Sequence, residues 1–169
     1  MKSEITILEV KSMEQEMLKE LSELLIDVVE DGASIGFLPP LTMDESAQYW
    51  QQVIKPGVRV WAAVMDDKVI GTIQLHLAMK QNGSHRAEIA KLMVHPSKRR
   101  SGTARLLMQR SEDTAKEEGR TLLVLDTRSG DPSNQLYKSL EYIEAGRIPH
   151  YAQSSWGSFD ETTFYYKKI

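Results

Sequence analysis

The chain is expected to fold as an α/β or α+β domain around a mixed sheet, in which strand, helix, parallel strand and helix follow an N-terminal meander. Three observations carry this expectation. Two runs of strand-forming residues, RVWAAVM (59–65) and VIGTIQLHL (69–77), flank Asp66-Asp67-Lys68, a hairpin signal. A further strand, AEIAKLMV (87–94), leads through a glycine-containing turn into a helix that ends at Gly119. The run TLLVLD (121–126) then has the apolar middle and polar ends of a buried parallel strand.

The remaining elements follow in chain order. Residues 4–10 alternate like a strand. From Met13 to Asp31, the apolar residues Met17, Leu18, Leu21, Leu24, Leu25, Val28 and Val29 recur at helical spacing. The segment DGASIGFLPP (31–40) interrupts that helix with two glycines and closes with two prolines, so it is a loop, with Gly32 as a helix C-cap. A shorter helix is expected over 42–54, and QNGSHR (81–86) marks a turn after the hairpin. Ala104, Leu107, Met108, Ser111 and Ala115 line one stripe of the central helix. PSNQLYKSL (132–140) reads as a helix and ETTFYYKK (161–168) as the closing strand. Tyr49, Trp50 and Trp61 are assigned to the core or to an interface. No repeat or Pro/Gly/Ser-rich linker divides the chain, so a single domain over 1–169 is expected.

Composition excludes several classes. With 169 residues, 41% of them hydrophobic and 27% charged, this is the make-up of a soluble globular protein with a sizeable core. The longest apolar runs, such as LLVL (122–125), fall far short of the ~20 residues that a membrane helix needs. The N-terminus lacks the apolar region of a signal peptide, and the absence of cysteine removes both a disulfide framework and a thiolate nucleophile. A cytoplasmic location and no membrane partner are therefore expected. A net charge of -3 argues against a general nucleic-acid binder. His76, His85, His95 and His150 share no metal-ligand spacing, so no metal is expected.

One stretch is at odds with that acidic balance. HPSKRRSGTARLL (95–107) gathers Lys98, Arg99 and Arg100 just before a glycine at the mouth of a helix. Like charges so close repel, so the cluster makes better sense with an anion beside it. A helix N-terminus carries unpaired N–H groups and roughly half a positive charge. Gly102 lets the backbone approach a ligand, Thr103 offers a hydroxyl and an N-cap, and Arg99, Arg100 and Arg105 can add charge-assisted hydrogen bonds to phosphate. The P-loop pattern GxxxxGK[ST] and the dinucleotide pattern GxGxxG are both absent. A solvated basic turn, or one that docks an acidic protein, also fits the charges. Gly102 at a helix start favours a compact phosphate ligand over a flat protein surface.

Arg99-x-x-Gly102-x-Ala104, directly after KLMVHP, resembles the R/Q-x-x-G-x-G/A signature of the GCN5-related N-acetyltransferases. LYKSLEY (136–142) is similar to the family's tyrosine-bearing helix, and the element order matches along nearly the whole chain. Two departures stand out: Glu141 replaces a glycine, and Gly130 occupies a place where the family has asparagine, which leaves Asn134 as the candidate for that contact. DGASIGFL, RAEIAKLMVHPS, LDTRSG and IPHYA resemble stretches of the tabtoxin-resistance acetyltransferases within this family. The resemblance implies a mixed, mostly antiparallel sheet of six to seven strands, splayed in the middle, with helices on both faces. It also implies acetyl-CoA as cosubstrate, held by the backbone of Leu92, Met93 and Val94 and by Arg99, Arg100, Ser101, Gly102, Thr103, Ala104, Arg105 and Asn134.

Acetyl transfer from a thioester to an amine needs a neutral amine, a stabilised oxyanion and a protonated leaving thiolate. A chain without cysteine suits direct attack. Tyr137 is the candidate acid, because a phenol stays protonated at neutral pH. Glu88, in an otherwise apolar strand, and Asp126, at the end of TLLVLD, are the candidate bases; both equally suit the binding of a cationic substrate. The loop at 32–40 is expected to cover the acceptor, with Phe37 against it. The acceptor itself stays open among a small amine or amino-acid-like metabolite, a polyamine, an antibiotic and a peptide N-terminus. A non-catalytic acyl-CoA sensor or a toxin-sequestering protein is the rival to an enzyme. A homodimer is compatible with the sequence, which leaves the oligomeric state open.

Overall fold

The computed structural model describes residues 3–169. In chain order it contains β1 (Thr6–Glu9), α1 (Gln15–Glu30), α2 (Met43–Gln51), β2 (Val58–Met65), β3 (Lys68–Leu77), β4 (Arg86–Val94), α3 (Thr103–Glu117), β5 (Leu122–Arg128), α4 (Ser133–Ser139), β6 (Ile143–Gln153) and β7 (Phe159–Lys168). Short 3-10 turns occupy Gln81–Gly83 and Pro96–Lys98. The seven strands form one sheet in the order β1-β2-β3-β4-β5-β7-β6. Every neighbouring pair is antiparallel except β4 with β5.

Local chemistry explains the early elements. Met65 pairs with Lys68, which leaves Asp66 and Asp67 as a two-residue turn at φ 50° and 58°. Such a turn matches the twist of the strands it joins, and Asp tolerates it. Lys68 therefore belongs to β3 rather than to the turn. The apolar stripe of α1 is buried at Leu21, Leu24, Leu25, Val28 and Val29. The helix closes where Gly32 N–H donates to Val29 O at 3.0 Å and Ala33 N–H to Val28 O at 3.0 Å, the double bond pattern of a glycine-terminated helix. Thr42 and Glu45 cap α2 reciprocally, with Glu45 N–H donating to Thr42 Oγ1 at 3.2 Å and Thr42 N–H to Glu45 Oε2 at 2.9 Å. α2 ends at Gln51 and not at 54, because Gln52 N–H and Val53 N–H donate back to Tyr49 O and Trp50 O, three residues earlier, which tightens the last turn and closes the α-helix.

Helices cover both faces. On one, α3 and α4 bury Leu107, Met108 and Tyr137 against Trp61, Ile73, Leu123 and Tyr165. On the other, α1 and α2 bury Leu21, Leu25 and Trp50 against Val60 and Ala62. Trp50 and Trp61 thus sit in the core, in opposite layers.

β6 is an element that periodicity does not reveal. It is the edge strand, and every residue of it but Ala152 is exposed. With neither face covered there is no alternation to read, and Gly146, Pro149 and two register shifts break the pattern further.

The sheet parts in its middle, as the resemblance implies. β5 pairs with β4 only from Arg86–Glu88 against Leu122–Val124, while it stays paired with β7 through Arg128. β4 remains with β3, but its register shifts: Gln74 faces Ala90 while Thr72 faces Met93, so three steps on β4 oppose two on β3. Lys91 sits in this bulge at φ 54°.

Candidate active site

The basic turn sits where the sheet parts. Gly102 precedes α3 at φ 86°, and no side chain caps the helix. The first-turn N–H groups of Thr103, Ala104 and Arg105 are therefore left to bind something else. A Cβ on Gly102 would meet no described atom within 4 Å, so the space above it is open. Thr103 is not the N-cap. It is the first helical residue and is buried, its hydroxyl lying 2.6 Å from that of Ser101, which donates to Lys98 O at 2.6 Å. Arg99 is held by Asp31 at 2.6 Å and Arg105 by Ser139 at 2.8 Å. Arg100 forms no ion pair with a described residue. The cluster thus offers one free guanidinium and two that are aimed in advance.

The edge of β4 from Leu92 to Val94 faces the gap, because pairing with β5 has ended at Glu88. Tyr137 comes from α4 on the α3/α4 side and is 5% exposed. Its ring packs against Tyr142 and Tyr165 at centroid distances of 6.0 and 5.8 Å. Its hydroxyl makes no hydrogen bond to a described residue and is not fully enclosed, so water or a ligand can touch it. Burial, aided by the negative charge of Asp126, pushes its pKa up.

The two carboxylates lie on the opposite face, toward α1 and α2. Glu88 is directly paired with Val124, so the two side chains share a face, and Asp126, two residues on, shares it as well. Burial, then the Asp126 charge, raises the pKa of Glu88, against the pull of Lys91 and Arg86. Burial raises that of Asp126, again opposed by Lys91. His76 stands across from Glu88 on β3. Its Nε2 lies 2.8 Å from Gln74 Oε1, and Gln74 Nε2 donates to Tyr49 OH at 2.9 Å.

Phe37 packs edge-on against Tyr49 at 5.0 Å, at the border of this face. A cleft of about 190 Å³ opens between the loop at 32–38 and residues 152–155 near the end of β6, with Arg128 in its wall. Arg128 is paired with Asp131 at 3.0 Å and Asp160 at 3.7 Å.

Asn134 is committed within the protein. Its Nδ2 donates to Arg128 O and Asp131 O, each at 2.9 Å, and its Oδ1 accepts from Tyr165 OH at 2.7 Å. With both N–H groups spent, it pins the β5–α4 turn instead of presenting a donor to a ligand.

Sequence reasoning overlooked Lys91, His76 and Gln74. A signal exists for each: Lys91 is the one charge in IAKLMV, and Gln74 and His76 alternate through an apolar strand. Among the described residues, no group of three or more His, Cys, Asp or Glu side chains forms a metal-type cluster, and no helix is long and apolar enough to cross a membrane.

A mostly antiparallel sheet parted at its one parallel pair, an uncapped helix start at the parting and a buried tyrosine behind it make up the architecture of an acyltransferase. The model of the acetyltransferase (GNAT) family matches residues 14–142, and the chain belongs to that family. An uncharacterized N-acetyltransferase in the hisH–hisA intergenic region of Azospirillum brasilense is 26% identical over 129 residues, 75% of this chain and 77% of that protein. Among solved structures, an N-acetyltransferase from Staphylococcus aureus Mu50 superposes with a TM-score of 0.83 at 18% identity, over 98% of this chain and 99% of that one. yncA from Salmonella typhimurium, solved with its cofactor acetyl-CoA, gives 0.79 at 19% identity over 97% and 93% of the two chains.

Proposed function

We propose that this GNAT-type acetyltransferase moves the acetyl group of acetyl-CoA directly onto a primary amine of a small, amino-acid-like molecule, working as a single cytoplasmic domain. The observation that carries the reading is the pair Glu88 and Asp126, facing together at the parting of β4 and β5, with Tyr137 on the far side of the same gap. The likeness to tabtoxin-resistance acetyltransferases in DGASIGFL and LDTRSG supports an amino-acid-like acceptor. An acceptor detoxified in this way is one use consistent with that likeness.

The chain's own groups fit the cosubstrate. The open space above Gly102, the uncapped N–H groups of α3 and the guanidiniums of Arg99, Arg100 and Arg105 suit a pyrophosphate. The free edge of Leu92, Met93 and Val94 suits the pantetheine arm. When bound, acetyl-CoA supplies the acetyl group already activated as a thioester. A backbone N–H of the β4 edge then holds the thioester oxygen as negative charge develops on it, worth about 3 kcal/mol. Glu88 and Asp126 accept the amine's proton, directly or through water. Desolvation raises the pKa of both carboxylates, which makes each a stronger proton acceptor than a free carboxylate. Tyr137, kept protonated by burial, gives its proton to the departing sulfur.

A screen of amine acceptors with release of free CoA as the readout tests the proposal. Turnover is expected with small amines that also carry a carboxylate. Turnover confined to peptide N-termini, or binding of acetyl-CoA with no turnover on any amine, refutes it.

A further inference from the structure

We infer that Lys91 is a positioning residue that holds the loop at 31–40 over the face carrying Glu88 and Asp126. The inference rests on the acceptor reading above but stands on separate observations. Lys91 Nζ donates to Ile35 O at 2.8 Å and lies 5.9 Å from the ring centroid of Phe37. A Cβ on Gly36 would come within 3.1 Å of the same nitrogen, so the loop backbone passes directly over it. One ammonium thus touches three consecutive loop residues, across a sequence separation of more than fifty positions.

The backbone is shaped to make this contact. Lys91 holds φ 54°, a region uncommon outside glycine, and it does so in the bulge that adds a residue to β4. A bulge re-aims the side chain that it carries. Without it, alternation along β4 would send residue 91 to the face opposite Glu88 and Ala90.

Charge completes the arrangement. The groups that act on this face are Glu88 and Arg86 on β4, Asp126 on β5, His76 on β3 and Lys55 ahead of β2. Lys91 makes no ion pair with a described residue, yet it is partly buried. Burial lowers its pKa while the charges of Asp126 and Glu88 raise it, and Lys91 in turn lowers theirs. Lys91 offsets the desolvation of each carboxylate and both offset its own, while Glu88 and Asp126 repel each other. The loop's position and the charge state of the acceptor face therefore depend on one side chain.

The test compares the wild type with Lys91→Met, Lys91→Gln and Lys91→Arg in the full chain by two readouts that need no acceptor. Amide hydrogen exchange at 34–38 is expected to accelerate about tenfold or more in Lys91→Met. Carbon NMR titration of the Glu88 and Asp126 carboxyls should show their midpoints rising by about one pH unit in Lys91→Met and Lys91→Gln. Lys91→Arg should restore the midpoints. If Lys91→Met does not fold, Lys91→Gln carries both readouts. Unmoved carboxyl midpoints, or loop exchange unchanged in a folded variant, overturn the inference, since Lys91 must act on both. Failure of the wild type to acetylate any amine would overturn the proposed function, while the role of Lys91 would still be decided by these two measurements.

Discussion

Replacing Tyr137 with Phe removes one oxygen and tests the acid role proposed for it. The ring lies between those of Tyr142 and Tyr165, at 6.0 and 5.8 Å, and Phe keeps both contacts. No described residue hydrogen-bonds the hydroxyl, so its loss orphans no partner. The stability change should stay within about 0.5 kcal/mol, well below the cost of leaving a buried group unpaired. The catalytic effect should be far larger. A positioned acid contributes about 10²-fold or more, and a hundredfold loss in rate corresponds to about 2.7 kcal/mol in the barrier. The loss belongs in kcat, because the proton moves only as the C–S bond breaks. Burial holds the phenol well above its ordinary pKa, so the wild type should show no alkaline limb from this group below about pH 10. Single-turnover measurement with a good acceptor isolates the chemical step, and thermal melts of the two proteins report stability. Equal single-turnover rates would show that the leaving group takes its proton from water. A large drop in melting temperature would show that the hydroxyl is structural.

Other consequences can be measured alongside. Gly102→Val forces a β-branched residue to φ 86° at a cost of about 1–2 kcal/mol, while its side chain meets only open space in the protein; calorimetric titration should show the acetyl-CoA Kd raised about tenfold or more with a native circular dichroism spectrum. Asp126→Asn and Glu88→Gln should lower kcat most at the acid end of the profile, where the amine arrives protonated; a defect confined to acceptor KM would make either group a binding residue instead. The folded pKa of Asp126 is raised, so its ionisation disfavours the fold as pH climbs through that value; Asp126→Asn should therefore melt higher at pH 7–8, by about 2–4 °C for each kcal/mol relieved, with the gain vanishing below about pH 4. Glu112 is buried and accepts from Tyr142 OH at 3.0 Å and Lys167 Nζ at 2.9 Å; Glu112→Leu strands both donors and should cost about 3–5 kcal/mol in denaturant unfolding without changing acetyl-CoA affinity.

The features legible in the residues are local in the chain. The stripe on α1, the hairpin at Asp66-Asp67 and the strand–helix–strand run from β4 to β5 are each written in a short window, because burial of one face imposes a period that the residues must match. The basic turn is local as well: Arg99, Arg100 and Gly102 lie within one loop, so their spacing alone makes it a candidate seat for an anion. Tyr137 and the two acids were legible as residue types in suggestive places. Their relation to one another was not. Glu88 and Asp126 share a face only because Glu88 pairs with Val124, and a slip of one residue would send Asp126 to the other side. The contact of Lys91 with Ile35 depends on the bulge in β4, an extra residue that no periodicity announces. Asn134 looked free in the sequence but is spent on carbonyls of the turn before it. β6 lies on an edge with both faces open, so it left no pattern to read. A period records which side of a segment meets the core; register, bulges and edges arise from pairing between distant segments, which no single window of residues contains.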